Sequence, residues 1–149
     1  GQIRRQRQMC IRDRNITLCE RGNSYGYNNL VVDTLNFQIL KKLSKPVIFD
    51  VTHSLQLPGG LGSSTGGRRE YVLSLAKAGM SQSIAGLFLE AHPNPDEAKC
   101  DGPCALPLSY LDEFLNQIKD LDDFVKGQNN LEIKFRIRFL LADCSFVTI

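Results

Sequence analysis

The chain has 149 residues, 42% of them hydrophobic and 23% charged, the proportions of one folded domain or part of one, which excludes disordered and collagen-like classes. Its formal net charge of +2 is unevenly spread: residues 1–14 hold five Arg against one Asp, whereas residues 15–130 hold ten basic against thirteen acidic groups. A slightly acidic folded part lacks the positive face that neutralises phosphates, so no nucleic-acid partner is expected. No apolar run reaches the roughly 18 residues that a membrane span needs, and the Arg-rich start has no hydrophobic region behind it to make a secretory signal. The five cysteines, Cys10, Cys19, Cys100, Cys104 and Cys144, are irregularly spaced and make no disulfide scaffold. They point to a reducing compartment, the cytoplasm.

Residues 1–14 are polar or Arg-rich without a period and read as an extension foreign to the domain. The first apolar run, Ile16 to Cys19, predicts a strand. A helix is expected between Asn29 and Leu43, with Leu35, Ile39, Leu40 and Leu43 inward, stopped by Pro46. Val47 to Val51 predicts the second strand. A Gly-rich stretch from Pro58 to Arg69 follows, with five glycines and three hydroxyl residues, then a helix from about Arg69 to Met80 with Val72, Leu75, Ala76 and Gly79 inward. The third strand is expected from Leu87 to Ala91. In the last helix, Leu111, Phe114, Leu115, Ile118, Leu121, Phe124 and Val125 form one stripe, with Ser109 as its cap and Lys126-Gly127 as its close. Each apolar run is short, rich in β-branched, Leu or Phe residues and not strictly alternating, as in strands of a parallel sheet covered on both faces. Strand and helix alternate three times, which is the α/β signature. Beyond residue 128, Ile133 to Phe139 alternates like an amphipathic strand that has no partner in this plan. Residues 129–149 are therefore read as a second extension.

In parallel α/β folds the reacting groups sit just past the carboxyl ends of the strands, where loops converge. Glu20, Arg21 and Gly22 follow the first strand, Asp50, Thr52, His53 and Gln56 the second, and Glu90, Ala91 and His92 the third. Arg21 suits either a bidentate grip on phosphate or carboxylate, or an ion pair with Glu20 or Asp50. Glu90 ends a buried strand and needs a partner. His92 precedes Pro93 and reads as a turn-shaping residue. Gly67 is followed by Arg68 where a Walker loop needs Lys, and Thr65 stands where a dinucleotide fingerprint needs its third Gly. What remains for Pro58 to Arg69 is a lid over the mouth or a flexible linker. Cys100 and Cys104 match no common zinc pair, while a metal held by His53, Glu90 and Asp101 with one further ligand stays open.

Several long motifs carry a family resemblance. They are Cys19-Glu20-Arg21-Gly22, Tyr25 through Asp33, Pro46 through Gln56, Ser64 to Arg69, Leu87 to Pro93, Cys100-Asp101-Gly102-Pro103 and Ala105-Leu106-Pro107-Leu108. In this order, over about residues 16–128, they resemble the 3-deoxy-D-manno-octulosonate 8-phosphate synthases. The resemblance implies an α/β fold that is part of a (β/α)8 TIM barrel, namely its last three strand-helix units, since a whole barrel takes about 250 residues. It implies a transferase that condenses phosphoenolpyruvate with D-arabinose 5-phosphate in lipopolysaccharide biosynthesis, with an intact protein that is a homo-tetramer. It places His53, Glu90 and Asp101 at the reaction centre, and Arg21, Asn29, Gln56 and Arg68 on the substrates. In metal-dependent members His53, Glu90 and Asp101 hold a divalent metal. Cys100 before Asp101, with Ala105-Leu106-Pro107 after, is more similar to the metal-independent subgroup, so no cofactor is favoured; Pro58-Gly59-Gly60 is more similar to metal-dependent members. This chain alone is expected to be inactive. Two other readings are carried forward: another phosphoenolpyruvate-dependent synthase, of the sialic acid or arabino-heptulosonate phosphate type, and a non-catalytic α/β binding domain.

Overall fold

The computed structural model describes residues 16–25, 28–60, 66–129 and 131, together with the backbone of 138–140 and 146–148. Three strands form a parallel sheet in the order β1 (Leu18–Glu20), β4 (Val47–Asp50), β7 (Gly86–Phe88). In its register Cys19 lies beside Ile48, Glu20 beside Phe49, and Phe49 beside Leu87. The strands thus begin and end within three residues of the expected runs, with the expected order and direction. The polar residues Glu20 and Asp50 are themselves the last residues of β1 and β4.

The three helices are α1 (Thr34–Lys41), α2 (Val72–Met80) and α3 (Leu111–Lys126). Phe49 decides which face of the sheet they cover. Its ring is fully buried and meets Phe37 of α1 edge-on, with centroids 5.2 Å apart. Gly79 of α2 packs on the same ring so closely that a Cβ there would lie 2.4 Å from Phe49 Cδ1. Phe37, Val47, Phe49, Val51, Ala76, Ile84, Phe114 and Ile118 belong to one buried cluster between sheet and helices. Side chains alternate across a strand, so Cys19, Ile48 and Gly86 share the opposite face. There Cys19 is exposed, Ile48 is half-buried, and open space surrounds the position of a Cβ on Gly86.

Three helix expectations are corrected. The first helix starts at Thr34, five residues later than expected, because Asp33 caps it by accepting the Leu35 N–H at 3.0 Å, while Leu30–Val31 is the extended strand β3, paired antiparallel with β2 (Asn23–Ser24). Its inward residue is Phe37; Leu35, Ile39 and Leu43 are 70%, 56% and 61% exposed, because docking the larger Phe37 ring on Phe49 turns the stripe at 35, 39 and 43 away. The second helix is preceded by a 3-10 turn, Arg69–Tyr71, and buries Val72, Ala76, Gly79 and Met80, with Leu75 half-buried. Ser109 does not cap the last helix: it lies within the 3-10 turn Leu108–Tyr110 that leads into it, and no side chain caps the helix start at Tyr110. Gly127 ends that helix as expected. Phe114 and Ile118 are its buried residues, whereas Leu115 and Phe124 are exposed.

Short pairs complete the described backbone: β5 (Gln56–Leu57) with β6 (Gly66–Gly67), and β8 (Ala91–His92) with β9 (Leu106–Pro107). Gly66–Gly67 near the end of the Gly-rich stretch is therefore paired with the two residues that precede the stretch, and residues 61–65 of the lid or linker expected over Pro58 to Arg69 lie outside the described residues. The extension at 1–14 is outside them too. Of the alternating segment expected from Ile133 to Phe139, residues 133–137 lie outside the described residues; its last two residues belong to β10 (Arg138–Leu140), which pairs antiparallel with β11 (Phe146–Thr148). Among the described residues no helix is long and apolar enough to cross a membrane.

Candidate active site

His53 is the hub of the site. The chain leaves β4 at Asp50 and turns at once, and Asp50 Oδ1 accepts the backbone N–H of His53 at 3.0 Å, the way a side-chain carboxylate closes a tight turn. The other carboxylate oxygen, Oδ2, lies 2.8 Å from His53 Nδ1. The ring also stacks on Phe88, with centroids 5.8 Å apart and planes 29° apart. Its remaining nitrogen, Nε2, faces two carboxylates, Glu90 Oε1 at 3.3 Å and Asp101 Oδ2 at 3.8 Å.

Each carboxylate is held by its own support. Glu90 has its backbone N–H bound to the buried Thr52 hydroxyl at 2.9 Å, and its carbonyl accepts the Leu106 N–H at 2.9 Å. Asp101 sits in the left-handed region with φ of 53°, a conformation that Asp tolerates better than most residues. Its carbonyl accepts the N–H groups of Cys104 and Ala105. Gly102 behind it is pressed against the Pro95 carbonyl, where a Cβ would come within 2.3 Å of the oxygen. Gln56 donates its amide to Asp101 Oδ1 and accepts from an Arg21 Nη at 3.0 Å. Arg21 Nε is 3.8 Å from Asp50 Oδ2. Arg21, Asp50, His53, Asp101 and Gln56 thereby form a closed ring, with Glu90 attached at His53.

Five of the seven expected site residues, Arg21, His53, Gln56, Glu90 and Asp101, therefore come together. Arg21 makes the ion pair with Asp50 that was one of its two readings, and at 49% side-chain exposure it keeps an open side for an anion. Asn29 and Arg68 are not joined to this ring by any contact among the described residues. Asn29 Oδ1 and Arg68 Nε are both buried without a hydrogen-bond partner, and Arg68 lines a separate hollow of 350 Å³ with Leu30, Val32, Leu55 and Tyr71. Glu20 turns to the helix side: it is 4% exposed, accepts the Gly22 N–H at 2.7 Å and is bound by the Asn36 amide. His92 shapes its turn, as expected, by accepting the Asn94 N–H on Nδ1 at 3.1 Å.

Sequence reasoning missed the supporting roles of Asp50 and Thr52. The signal was the Asp50-Val51-Thr52-His53 spacing, because a carboxylate three residues before an imidazole in a tight turn reaches both its backbone and its ring. A polar hollow of 340 Å³ adjoins the ring at Gln56 and Asp101, lined also by Lys99, Cys100 and Cys104. The hollow of 390 Å³ between α2 and α3, lined by Leu73, Leu106, Tyr110 and Phe114, contains none of the site residues.

The donor set also fits a divalent cation. His53, Glu90 and Asp101 each offer one ligand atom, all within 4.8 Å of one another, and a small inward movement brings them to the roughly 2 Å bonds of a first-row metal. Asp50 behind Nδ1 is the outer carboxylate such sites use to orient an imidazole. The same geometry suits a metal-free centre in which Asp50 accepts from Nδ1 and Nε2 is turned to the groups that would handle a bound water, Glu90 and Asp101.

Among known proteins, the chain is 66% identical over 117 residues to a protein of Hahella chejuensis, 65% identical over 117 residues to one of Pseudomonas fluorescens, and 67% identical over 112 residues to one of Stutzerimonas stutzeri. All three are named 2-dehydro-3-deoxyphosphooctonate aldolase. These matches cover 75–78% of this chain and 40–42% of each relative, so the chain spans about two-fifths of the length of the curated relatives it matches. The sequence model of the DAHP synthetase I family matches residues 4–127, and the chain, with its α/β architecture and parallel sheet, belongs to that family.

Proposed function

We propose that this chain is the carboxyl-terminal part of a 3-deoxy-D-manno-octulosonate 8-phosphate synthase, which condenses phosphoenolpyruvate with D-arabinose 5-phosphate and releases phosphate. The observation that carries the reading is the meeting of Arg21, His53, Glu90 and Asp101 at the carboxyl ends of three neighbouring parallel strands. The relatives' shared name supports the reaction class. Among the described residues the sheet face at Cys19, Ile48 and Gly86 is only partly covered and no strand pairs with the outer edges of β1 and β7, which supports a (β/α)8 barrel in which these are the last three strands, since closure removes exposed edges.

In the reaction, carbon 3 of phosphoenolpyruvate attacks the aldehyde carbon of the pentose phosphate, water adds to carbon 2, and phosphate leaves with its bridging oxygen as the C–O bond breaks. Arg21 holds an anionic group of phosphoenolpyruvate by charge-assisted hydrogen bonds, and Gln56 fixes the guanidinium from behind. Glu90 and Asp101 accept from the attacking water and orient it. His53 Nε2 moves the proton between that water and the developing alkoxide. Asn29 and Arg68, each with an unpaired buried atom, are proposed as further substrate contacts. In a metal-dependent member His53, Glu90 and Asp101 would hold a divalent cation, which would supply Lewis-acid polarisation there. We favour the metal-independent centre, on the Cys100-Asp101 and Ala105-Leu106-Pro107 motifs. A cytoplasmic, homo-tetrameric intact enzyme that serves lipopolysaccharide biosynthesis completes the reading.

The test places residues 16–128 into the corresponding stretch of the Hahella chejuensis relative and measures phosphate release. Turnover is expected with phosphoenolpyruvate and arabinose 5-phosphate, and is expected to survive a chelator. Loss with chelator, restored by a divalent cation, would move the assignment to the metal-dependent type. The second reading, a heptulosonate phosphate synthase, is favoured by the family's name alone. Preference for erythrose 4-phosphate over arabinose 5-phosphate would establish it.

A further inference from the structure

We propose that Asp50 is a positioning residue that sets which nitrogen of His53 carries a proton, and so aims Nε2 at Glu90 and Asp101. The inference rests on the reading of His53 as a working group of the site. A purely local role for Asp50, closing the turn after β4, accounts for its contact with the His53 backbone N–H at 3.0 Å. It does not account for the second oxygen, which approaches the ring nitrogen Nδ1 at 2.8 Å. Asp50 has only 9% of its side chain exposed, and a carboxylate so shielded from water needs hydrogen-bond donors within the protein. Among the described residues the donors are the His53 backbone N–H, the His53 ring and, more distantly, Arg21 Nε at 3.8 Å.

An ionised carboxylate accepts and cannot donate, so the ring must present Nδ1–H to it. The proton is then fixed on the side away from the reacting groups, and Nε2 is the atom turned to Glu90 and Asp101. Phe88, stacked on the ring, opposes the 180° flip that would exchange the two nitrogens. An imidazole held this way by a buried carboxylate is oriented before substrate arrives, which saves the reorganisation a free ring would need at the moment of reaction.

The chain supplies its own internal comparison, because it holds only two histidines. His92 accepts the Asn94 N–H on Nδ1, so its Nδ1 is bare and its neutral ring carries the proton on Nε2. The two imidazoles are therefore expected in opposite tautomers, which the nitrogen-15 ring spectrum of the labelled 149-residue chain reads directly, in chelator and near pH 8. Replacing Asp50 with Asn offers an amide that can donate to Nδ1, and Asp50→Asn is expected to shift part or all of the His53 proton to Nε2. Asp50→Glu, which keeps a carboxylate, is expected to hold it on Nδ1. His92 should be unchanged in both. A parent spectrum with bare Nδ1 on His53, or an Asp50→Asn spectrum identical to the parent's, would overturn the proposal. If Asp50→Asn unfolds, shown by loss of the His92 pattern as well, the parent spectrum decides alone. The readout needs no turnover, so its failure stays separate from failure of the synthase reading.

Discussion

Glu20 shows how one buried carboxylate can be spent on architecture rather than chemistry. It stands at the end of β1 among the strand-end polar groups, yet its two oxygens are taken by the Gly22 N–H and the Asn36 amide, so it ties the turn after the strand to helix α1. Removing it leaves both donors without a partner at a site only 4% exposed. Glu20→Ala is expected to lower stability by about 1–3 kcal/mol, seen as a lower denaturant midpoint with an unchanged slope. An unchanged midpoint would show that water replaces the lost oxygens. Cys104 is set by burial as well, being 1% exposed beneath Gly67. Burial pushes its thiol up; the hydrogen bond from the Arg68 backbone opposes this, and the charge of Asp101 adds to it. Because the folded value is raised, the thiol's contribution to stability is complete below the ordinary thiol range. It is lost as pH climbs through that range, where the unfolded chain gives up its proton first. At neutral pH an alkylating reagent should therefore modify the exposed Cys100 readily and Cys104 only when the chain opens. Equal labelling rates would contradict this burial.

At the scale of elements, the strands and the last helix were legible because their information is local. A short run of β-branched and aromatic residues between turn residues marks a buried strand, and a sixteen-residue amphipathic repeat marks α3. The inward face of α1 was not legible. Leu35, Ile39, Leu40 and Leu43 make the more obvious stripe, but the packing partner chooses the face, and that partner is Phe49, distant in sequence. The same separation hid Asp50 and Thr52, whose supporting roles depend on where the turn after β4 places His53 and on where Glu90 meets Thr52 across neighbouring strands. Arg21, His53, Gln56, Glu90 and Asp101 were legible through motif resemblance; their joining into a ring required the fold. The Gly79–Phe49 contact between α2 and β4 gives a prediction at this scale. Gly79→Ala puts a methyl group 2.4 Å from the ring, and such overpacking costs about 1–3 kcal/mol, despite the better helix propensity of Ala. A variant as stable as the parent would mean that α2 can shift from the sheet freely.

For the whole molecule, three adjacent parallel strands bring the candidate site residues together past their carboxyl ends and carry the helical layer on one face. Among the described residues no strand pairs with the outer edges of β1 and β7, which agrees with the proposal that the chain is part of a larger domain and with the expectation that it releases no phosphate alone. The two histidines separate the site from its surroundings most sharply, since His53 sits within reach of three carboxylates whereas His92 only closes a turn. The decisive measurement is phosphate release from phosphoenolpyruvate and arabinose 5-phosphate by the Hahella chejuensis chimaera carrying His53→Ala or His92→Ala. Loss of a positioned acid-base group lowers turnover by about 10²–10⁴-fold. A loss of that size is predicted for His53→Ala and a change within a few-fold for His92→Ala; a His53→Ala chimaera that turns over like its parent would contradict the account.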